Sequence, residues 1–249
     1  MKLVLLPGMD GTGILFEPLV KALPENLQPM VHSYPGDKPM SYEELLPAIA
    51  ASLPAEEPFI VLGESFSGPL ALRIAAACPA GLRGVILCAS FARNPIRFFP
   101  RACIPLIHPI FFSRTFLPIV GVHAMIAGYA AGPVSELVRR VHALVTPQVL
   151  AARARAIVAV DAEDALAACS YPILYLAGSR DRVVPRYSRI RIQRIRPDVR
   201  VVVLDAPHLL LQSAPEPAAQ AISEFAASLE LKQKSGRPTG NGREFEMEV

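Results

Sequence analysis

The residues able to do covalent chemistry are few and far apart. The stretch Val61 to Pro79, VLGESFSGPLALRIAAACP, sets Ser65 between an apolar run and an apolar helix, with small residues on both sides. A serine hydroxyl is a weak nucleophile at neutral pH and needs a base within hydrogen-bond reach, itself oriented by an acid. Only five histidines are available. His208, in LDAPHLLLQSAPE, follows the last apolar run and opens the loop before the final helix, from where a ring reaches back over a sheet edge. His32 ends an apolar run, His108 and His123 lie in a long irregular interval, and His142 lies on a helix there; these read as packing or surface residues. The acid must come from another loop at the same edge. LAGSRDRVVP supplies Asp181 just after an apolar run, whereas Asp205, three residues before His208, is placed to brace the loop.

A sharp strand-to-helix turn strains the backbone of its central residue and needs small neighbours two positions away on either side. Gly63 meets that need upstream; downstream the slot holds Ser67, with Gly68 one step later, so the pattern is G-x-S-x-S-G rather than G-x-S-x-G. Ser65, centred after Gly63, is the better nucleophile, since Ser67 is followed two residues on by Pro69. The competing role for Ser65 is a cap on the following helix.

Such a constellation needs a scaffold that brings distant loops to one edge. Short β-rich runs at Leu3 to Leu6, Pro29 to Tyr34, Phe59 to Leu62, Gly84 to Cys88, Ile173 to Ala177 and Arg200 to Leu204 alternate with helical periodicity. The helical stretches are Ile14 to Leu23, Tyr42 to Leu53, Phe66 to Cys78, Tyr187 to Ile195 and Pro217 to Leu229. Alternation of this kind predicts an α/β fold, a parallel sheet covered on both faces. It breaks once, between Ser90 and Pro172, an interval rich in proline, phenylalanine and arginine that turns helical from Val134 to Val160. An interval that long is more than a connection and reads as an inserted lid. From Lys232 the chain loses hydrophobicity and gains glycine and charge, the composition of a disordered tail.

Taken together, the GESFSG turn, the Asp181 loop and the His208 loop, in that chain order, resemble the α/β-hydrolase arrangement over residues 1–229. The resemblance implies a three-layer α/β-hydrolase fold whose mainly parallel sheet lacks the family's first two strands. Residues 1–90 and 172–231 would form the core, 91–171 the inserted, mostly helical lid, and 232–249 the tail. It also implies an oxyanion hole of backbone N–H groups. One is that of Phe66, directly after the nucleophile. The other comes from LLPGMDGTG, where Pro7 replaces the family's usual histidine, Gly8 remains, and Met9 becomes the donor. Asp10 either braces that loop or is a simple turn former. Gly8, Gly11 and Gly13 lack the G-x-G-x-x-G spacing of a dinucleotide site. Within the family, LPGMDGTG with GESFSG resembles the esterase and phytyl ester synthase branch. Size and lid resemble the pimeloyl-carrier-protein methyl ester esterases, in which lid arginines hold an acidic carrier protein.

Composition narrows the partners. The net charge is only +3, but residues 91–200 hold sixteen basic and six acidic residues, all of the basic ones arginine. Arg139, Arg140, Arg153 and Arg155 are among eight lid arginines, with Glu136 the only acid before Asp161. They read either as a dock, led by Arg139 and Arg140, for an acidic acyl carrier protein or an anionic lipid headgroup, or as a solvated face. Phe98, Phe99, Phe111, Phe112 and Phe116 suit an aliphatic acyl chain or form the lid's own core, with Phe98, Phe111 and Phe112 the leading substrate contacts. Thr115 to Ser135 carries no charged residue over 21 positions, but Pro118, Gly121, His123, Gly128 and Pro133 interrupt it, so a buried or substrate-facing segment is expected rather than a membrane span.

Cys78, Cys88, Cys103 and Cys169 lie far apart in apolar surroundings and read as buried thiols of a cytoplasmic protein, and the start is too short in apolar residues for a secretory signal. No metal, cofactor or nucleic-acid partner is expected. The sequence thus predicts a serine hydrolase cleaving a carboxylic ester or thioester through an acyl-enzyme. The alternatives are an acyltransferase using the same three residues and, because of Ser67, a hydrolase-shaped binding protein without turnover.

Overall fold

The computed structural model describes residues 1–96, 99–113 and 132–235, with side chains through Leu231. Six strands form one sheet: β1 (Lys2–Leu6), β2 (Gln28–Val31), β3 (Phe59–Glu64), β4 (Leu82–Cys88), β5 (Ile173–Gly178) and β6 (Arg200–Leu204). Their order is β2-β1-β3-β4-β5-β6, and every neighbouring pair is parallel. This is the architecture the alternating pattern predicts.

Among the described residues the helices are α1 (Glu17–Ala22), α2 (Tyr42–Ala50), α3 (Gly68–Ala76), α4 (Pro133–Leu144), α5 (Pro147–Ala159), α6 (Glu163–Ala168), α7 (Arg186–Ile195), α8 (Leu210–Ser213) and α9 (Pro215–Ser235). Successive strand side chains point to opposite faces, so a strand buried on both sides is apolar throughout. Val4, Leu6, Val61, Val85, Leu87 and Ile173 face α2, α3, α6 and α7 through Leu45, Leu70, Leu166 and Ile192. Leu3, Leu5, Ile60, Leu62, Ile86 and Leu174 face α1, α8 and α9 through Leu19, Leu210, Ile222 and Phe225. The edge strands β2 and β6 are the more exposed ones.

Several boundaries differ from the sequence reading for local reasons. The expected helix at 14–23 opens as a 3-10 turn, Ile14–Phe16, because Gly13 enters it at φ 74°. Helical periodicity over 134–160 is split at Val145 and Thr146. Pro147 cannot donate to a preceding turn and disfavours a helical residue before it, while Thr146 caps the new helix by accepting from the Val149 N–H at 3.3 Å. Helix α9 runs to Ser235, past the expected start of the tail at Lys232; residues 236–249 lie outside the described residues. Within the segment expected as a lid, Ala162, Leu166 and Cys169 are buried in the main core beside α3. The remaining insert helices lie over the carboxyl edge of the sheet, α4 against Leu15 and Leu209, α5 against Met9 and Phe112. The uncharged stretch at 115–135 falls largely outside the described residues, and among those described no helix is long and apolar enough to cross a membrane. All four cysteines are free; Cys88 and Cys169 are buried as expected, but Cys78, just past the end of α3, is exposed and Cys103, on the 3-10 helix Arg101–Leu106, is half-buried.

Gly84 on β4 shows how closely α9 seats. A Cβ there would lie 2.8 Å from Leu229 Cδ1 and 3.0 Å from the Phe225 ring. Gly84→Ala is therefore expected to destabilise the protein by about 1–3 kcal/mol through overpacking, read as a lower midpoint in urea unfolding with an unchanged slope.

Candidate active site

All six strands end at one edge, and the strand order reverses between β1 and β3, where loops leave in opposite directions and open a crevice. β3 enters that crevice and turns at once: Ser65 adopts φ 46°, in the left-handed region, and Ser65–Ser67 form a 3-10 turn leading into α3. The turn is possible because Gly63 has no Cβ. One placed there would lie 2.5 Å from the Ser67 carbonyl oxygen and 2.9 Å from Gly68 Cα. Gly68 is needed as well, since a Cβ there would meet Ser90 Oγ at 1.9 Å. Ser90, in the loop after β4, donates to the Ser65 carbonyl at 2.5 Å, and Tyr175 donates to the Ser90 carbonyl at 2.6 Å.

Three side chains meet over this turn. His208 Nε2 lies 3.0 Å from Ser65 Oγ, and His208 Nδ1 lies 2.9 Å from Asp181 Oδ2. Asp181 Oδ1 accepts from the N–H groups of Val183 (2.8 Å) and Val184 (3.0 Å), so the carboxylate is fully engaged and cannot swing away. Gly178 makes the approach of the two loops possible, because a Cβ there would lie 2.5 Å from the carbonyl oxygens of Ala206 and Pro207. Asp205 is exposed and occupied by Ser179 and Arg180, each at 3.0 Å. It braces the Asp181 loop from outside. Ser65 is thus not the helix cap of the competing reading: no side chain caps this turn.

Of the two expected oxyanion donors, Phe66 follows Ser65 in the 3-10 turn into α3, where N–H groups have no intrahelical acceptor. Tyr42 fixes it, stacking on its ring with centroids 4.6 Å apart and donating to its carbonyl at 2.8 Å. Met9 lines the cavity beside Ser65, and a Cβ on Gly8 would sit 3.9 Å from Ser65 Cβ.

Above these groups lies a cavity of about 490 Å³, walled mostly by apolar side chains from the insert and the edge loops. Phe112 lines it as expected; Phe99, Val138, Val141, His142 and Ile157 do so as well. Phe111 does not line it and is 45% exposed, because the 3-10 turn Pro109–Phe112 directs consecutive residues to different sides. Phe98, Arg97, Arg114, Phe116 and His123 lie outside the described residues. Arg139 and Arg140 are also away from the cavity. They occupy the outer face of α4, Arg139 paired with Glu136 and Arg140 with Glu17 at 3.2 Å, since the apolar stripe of that helix faces inward. Among the described residues no group of three or more His, Cys, Asp or Glu is placed to hold a metal.

A sequence model of the Alpha/beta hydrolase family matches residues 3–221. The chain belongs to this family. No curated protein matches it. Among solved structures this alpha/beta hydrolase is similar to a thermophilic esterase from Thermogutta terrifontis (21% identity, TM-score 0.75, covering 92% of this chain and 90% of that one). It is similar also to the enol-lactonase from Burkholderia xenovorans LB400 (18%, 0.73, 91% and 91%) and to an esterase from Exiguobacterium antarcticum (14%, 0.76, 91% and 92%). At these identities the likeness is one of fold.

Sequence reasoning missed Glu64, the residue before Ser65. It is 2% exposed, lines the cavity, and accepts from Gln212 Nε2 at 2.9 Å. Burial lifts its pKa to about 7, against the Gln212 hydrogen bond and with the help of nearby Asp10. The pattern that hides it is ordinary: in GESFSG the glutamate reads as a turn residue, and only the sheet register buries it. The unfolded carboxyl titrates near 4.5 and the folded one near 7, so across that window the folded state binds more protons and stability falls as pH rises. Glu64→Gln removes this slope. Unfolding measured from pH 4 to 8 should show the variant gaining on the wild type by up to ~3 kcal/mol toward the alkaline end.

Proposed function

We propose that this alpha/beta hydrolase cleaves carboxylic esters of aliphatic acyl groups through an acyl-enzyme at Ser65. The observation that carries the reading is the continuous contact Ser65 Oγ to His208 Nε2 (3.0 Å) and His208 Nδ1 to Asp181 (2.9 Å) on the floor of an apolar cavity. Ser65 Oγ attacks the ester carbonyl as His208 Nε2 takes its proton, and Asp181, held by two backbone N–H groups, orients the ring and offsets its developing charge. The carbonyl oxygen becomes an oxyanion and receives the N–H groups of Met9 and Phe66. Collapse expels the alkoxide, which takes the proton back from His208. Water then attacks the acyl-enzyme with His208 as base, and the second collapse restores Ser65 and frees the acid.

Substrate class follows from the walls. Val141, Ile157 and Phe112 offer dispersion contacts and no charge, which favours an acyl chain over a polar acid. The esterase and enol-lactonase among the similar folds support ester cleavage as the reaction type. A carrier-linked substrate draws no support from Arg139 and Arg140, which are engaged within the chain.

A fluorophosphonate probe is expected to label the wild type and not Ser65→Ala, and Ser65→Ala or His208→Ala should lower kcat for p-nitrophenyl esters by roughly a thousandfold or more. Labelling of the wild type no faster than of Ser65→Ala would sink the reading. Across an acetate-to-palmitate series, Ile157→Trp should move the preferred chain toward shorter acids, because the indole occupies the cavity wall.

A further inference from the structure

Arg153 is a cation where none is expected. It sits on insert helix α5, yet it is 1% exposed and reaches into the loop that follows β1. Its Nη1 donates to the carbonyls of Met9 (3.0 Å) and Asp10 (2.7 Å), and its Nη2 to that of Pro35 (2.9 Å). The guanidinium carbon lies 5.7 Å from the centroid of the Tyr34 ring. The loop is shaped to receive it: Gly11 adopts φ 70°, and a Cβ there would lie 2.5–2.8 Å from the guanidinium atoms. Burying a guanidinium is expensive even when it is hydrogen-bonded, and packing alone is served as well by an apolar side chain. The planar fork provides what an apolar residue cannot, several donors held in fixed relative directions.

From the opposite side the same loop is held by Ser67, the residue that departs from G-x-S-x-G. Ser67 is fully buried and donates its single hydroxyl hydrogen to the Pro7 carbonyl. The Tyr34 hydroxyl, 2.8 Å from Ser67 Oγ, is therefore the donor in that pair. Tyr34 is tied to the loop a second time, its N–H donating to the Gly11 carbonyl at 2.6 Å. Between these two anchors lies one peptide unit, Gly8 to Met9. Its carbonyl accepts from the Gly11 N–H at 3.1 Å. In a planar trans peptide the N–H points opposite to the carbonyl, so turning the Gly8 carbonyl toward Gly11 turns the Met9 N–H away from it.

We infer that Ser67, Tyr34 and Arg153 are positioning residues that hold the Pro7 and Met9 carbonyls from two sides and so preorganise the Met9 N–H as an oxyanion donor. The inference rests on the acyl-enzyme reading above. It gives the insert a second task beyond walling the cavity: its helix supplies the cation that fixes one half of the oxyanion hole. It also gives the unusual serine of the turn a function, because a glycine at 67 would leave the Pro7 carbonyl and the Tyr34 hydroxyl without their partner. Oxyanion donors act by being in place before charge develops, so a loop free to rotate would bind the ester almost as well and stabilise its transition state less.

The test compares Arg153→Met, Arg153→Lys, Ser67→Gly and Tyr34→Phe with the wild type on p-nitrophenyl butyrate, together with the affinity for a straight-chain trifluoromethyl ketone, which forms an oxyanion on the serine, and for the matching unreactive alcohol. Arg153→Met and Ser67→Gly should each lower kcat by roughly tenfold or more while KM stays within about threefold. Ketone affinity should fall in parallel, alcohol affinity should hold, and Arg153→Lys should recover part of the loss. Ser67→Gly, which removes only a hydroxymethyl group, carries the same readout if Arg153→Met does not unfold cooperatively. Folded variants with unchanged kcat, or with losses confined to KM or shared equally by ketone and alcohol, overturn the positioning role and leave the hydrolase reading standing. A wild type that neither turns over esters nor reacts with fluorophosphonate overturns both.

Discussion

The close approach of Gly63 to the Ser67 carbonyl is the contact on which the rest depends. It lets β3 reverse into α3 within three residues and lifts Ser65 into a left-handed conformation at the end of a strand whose six residues are all buried. A serine in such a turn projects from the sheet edge with a helix N-terminus behind it. Neighbouring elements then lock the turn from outside, Ser90 on the Ser65 carbonyl and Tyr42 on Phe66.

The sheet supplies convergence and the loops supply distance control. Because every strand is parallel, each strand-to-helix loop leaves from the same edge, and residues 143 apart in sequence meet without any long excursion. Final placement is set by backbone contacts at glycines. Gly178 lets the Asp181 and His208 loops touch, since one methyl group there would hold them apart, while at Gly8 the loop after β1 comes within ordinary contact distance of Ser65.

The insert is coupled to this edge rather than laid over it. Helix α4 packs on Leu209, next to His208, and α5 packs on Met9, so both are backed by the same segment between β4 and β5. Its outer face carries the ion pairs, and its inner face carries the cavity wall and Arg153. Charge counted along the chain treats Arg139, Arg140 and Arg153 alike, but burial separates them completely.

The α/β class, the six strands, the Ser65 turn and the loops bearing Asp181 and His208 were legible in the sequence. These features are written in local signals: apolar runs of strand length, helical periodicity, and small residues beside a serine. Tertiary structure alone decided the outward turn of Phe111, the burial of Glu64, and the placement of Arg153 against the loop after β1. Each depends on which residues from distant segments become neighbours. A carboxylate or a guanidinium looks the same in sequence whether it ends up in water or against three carbonyls.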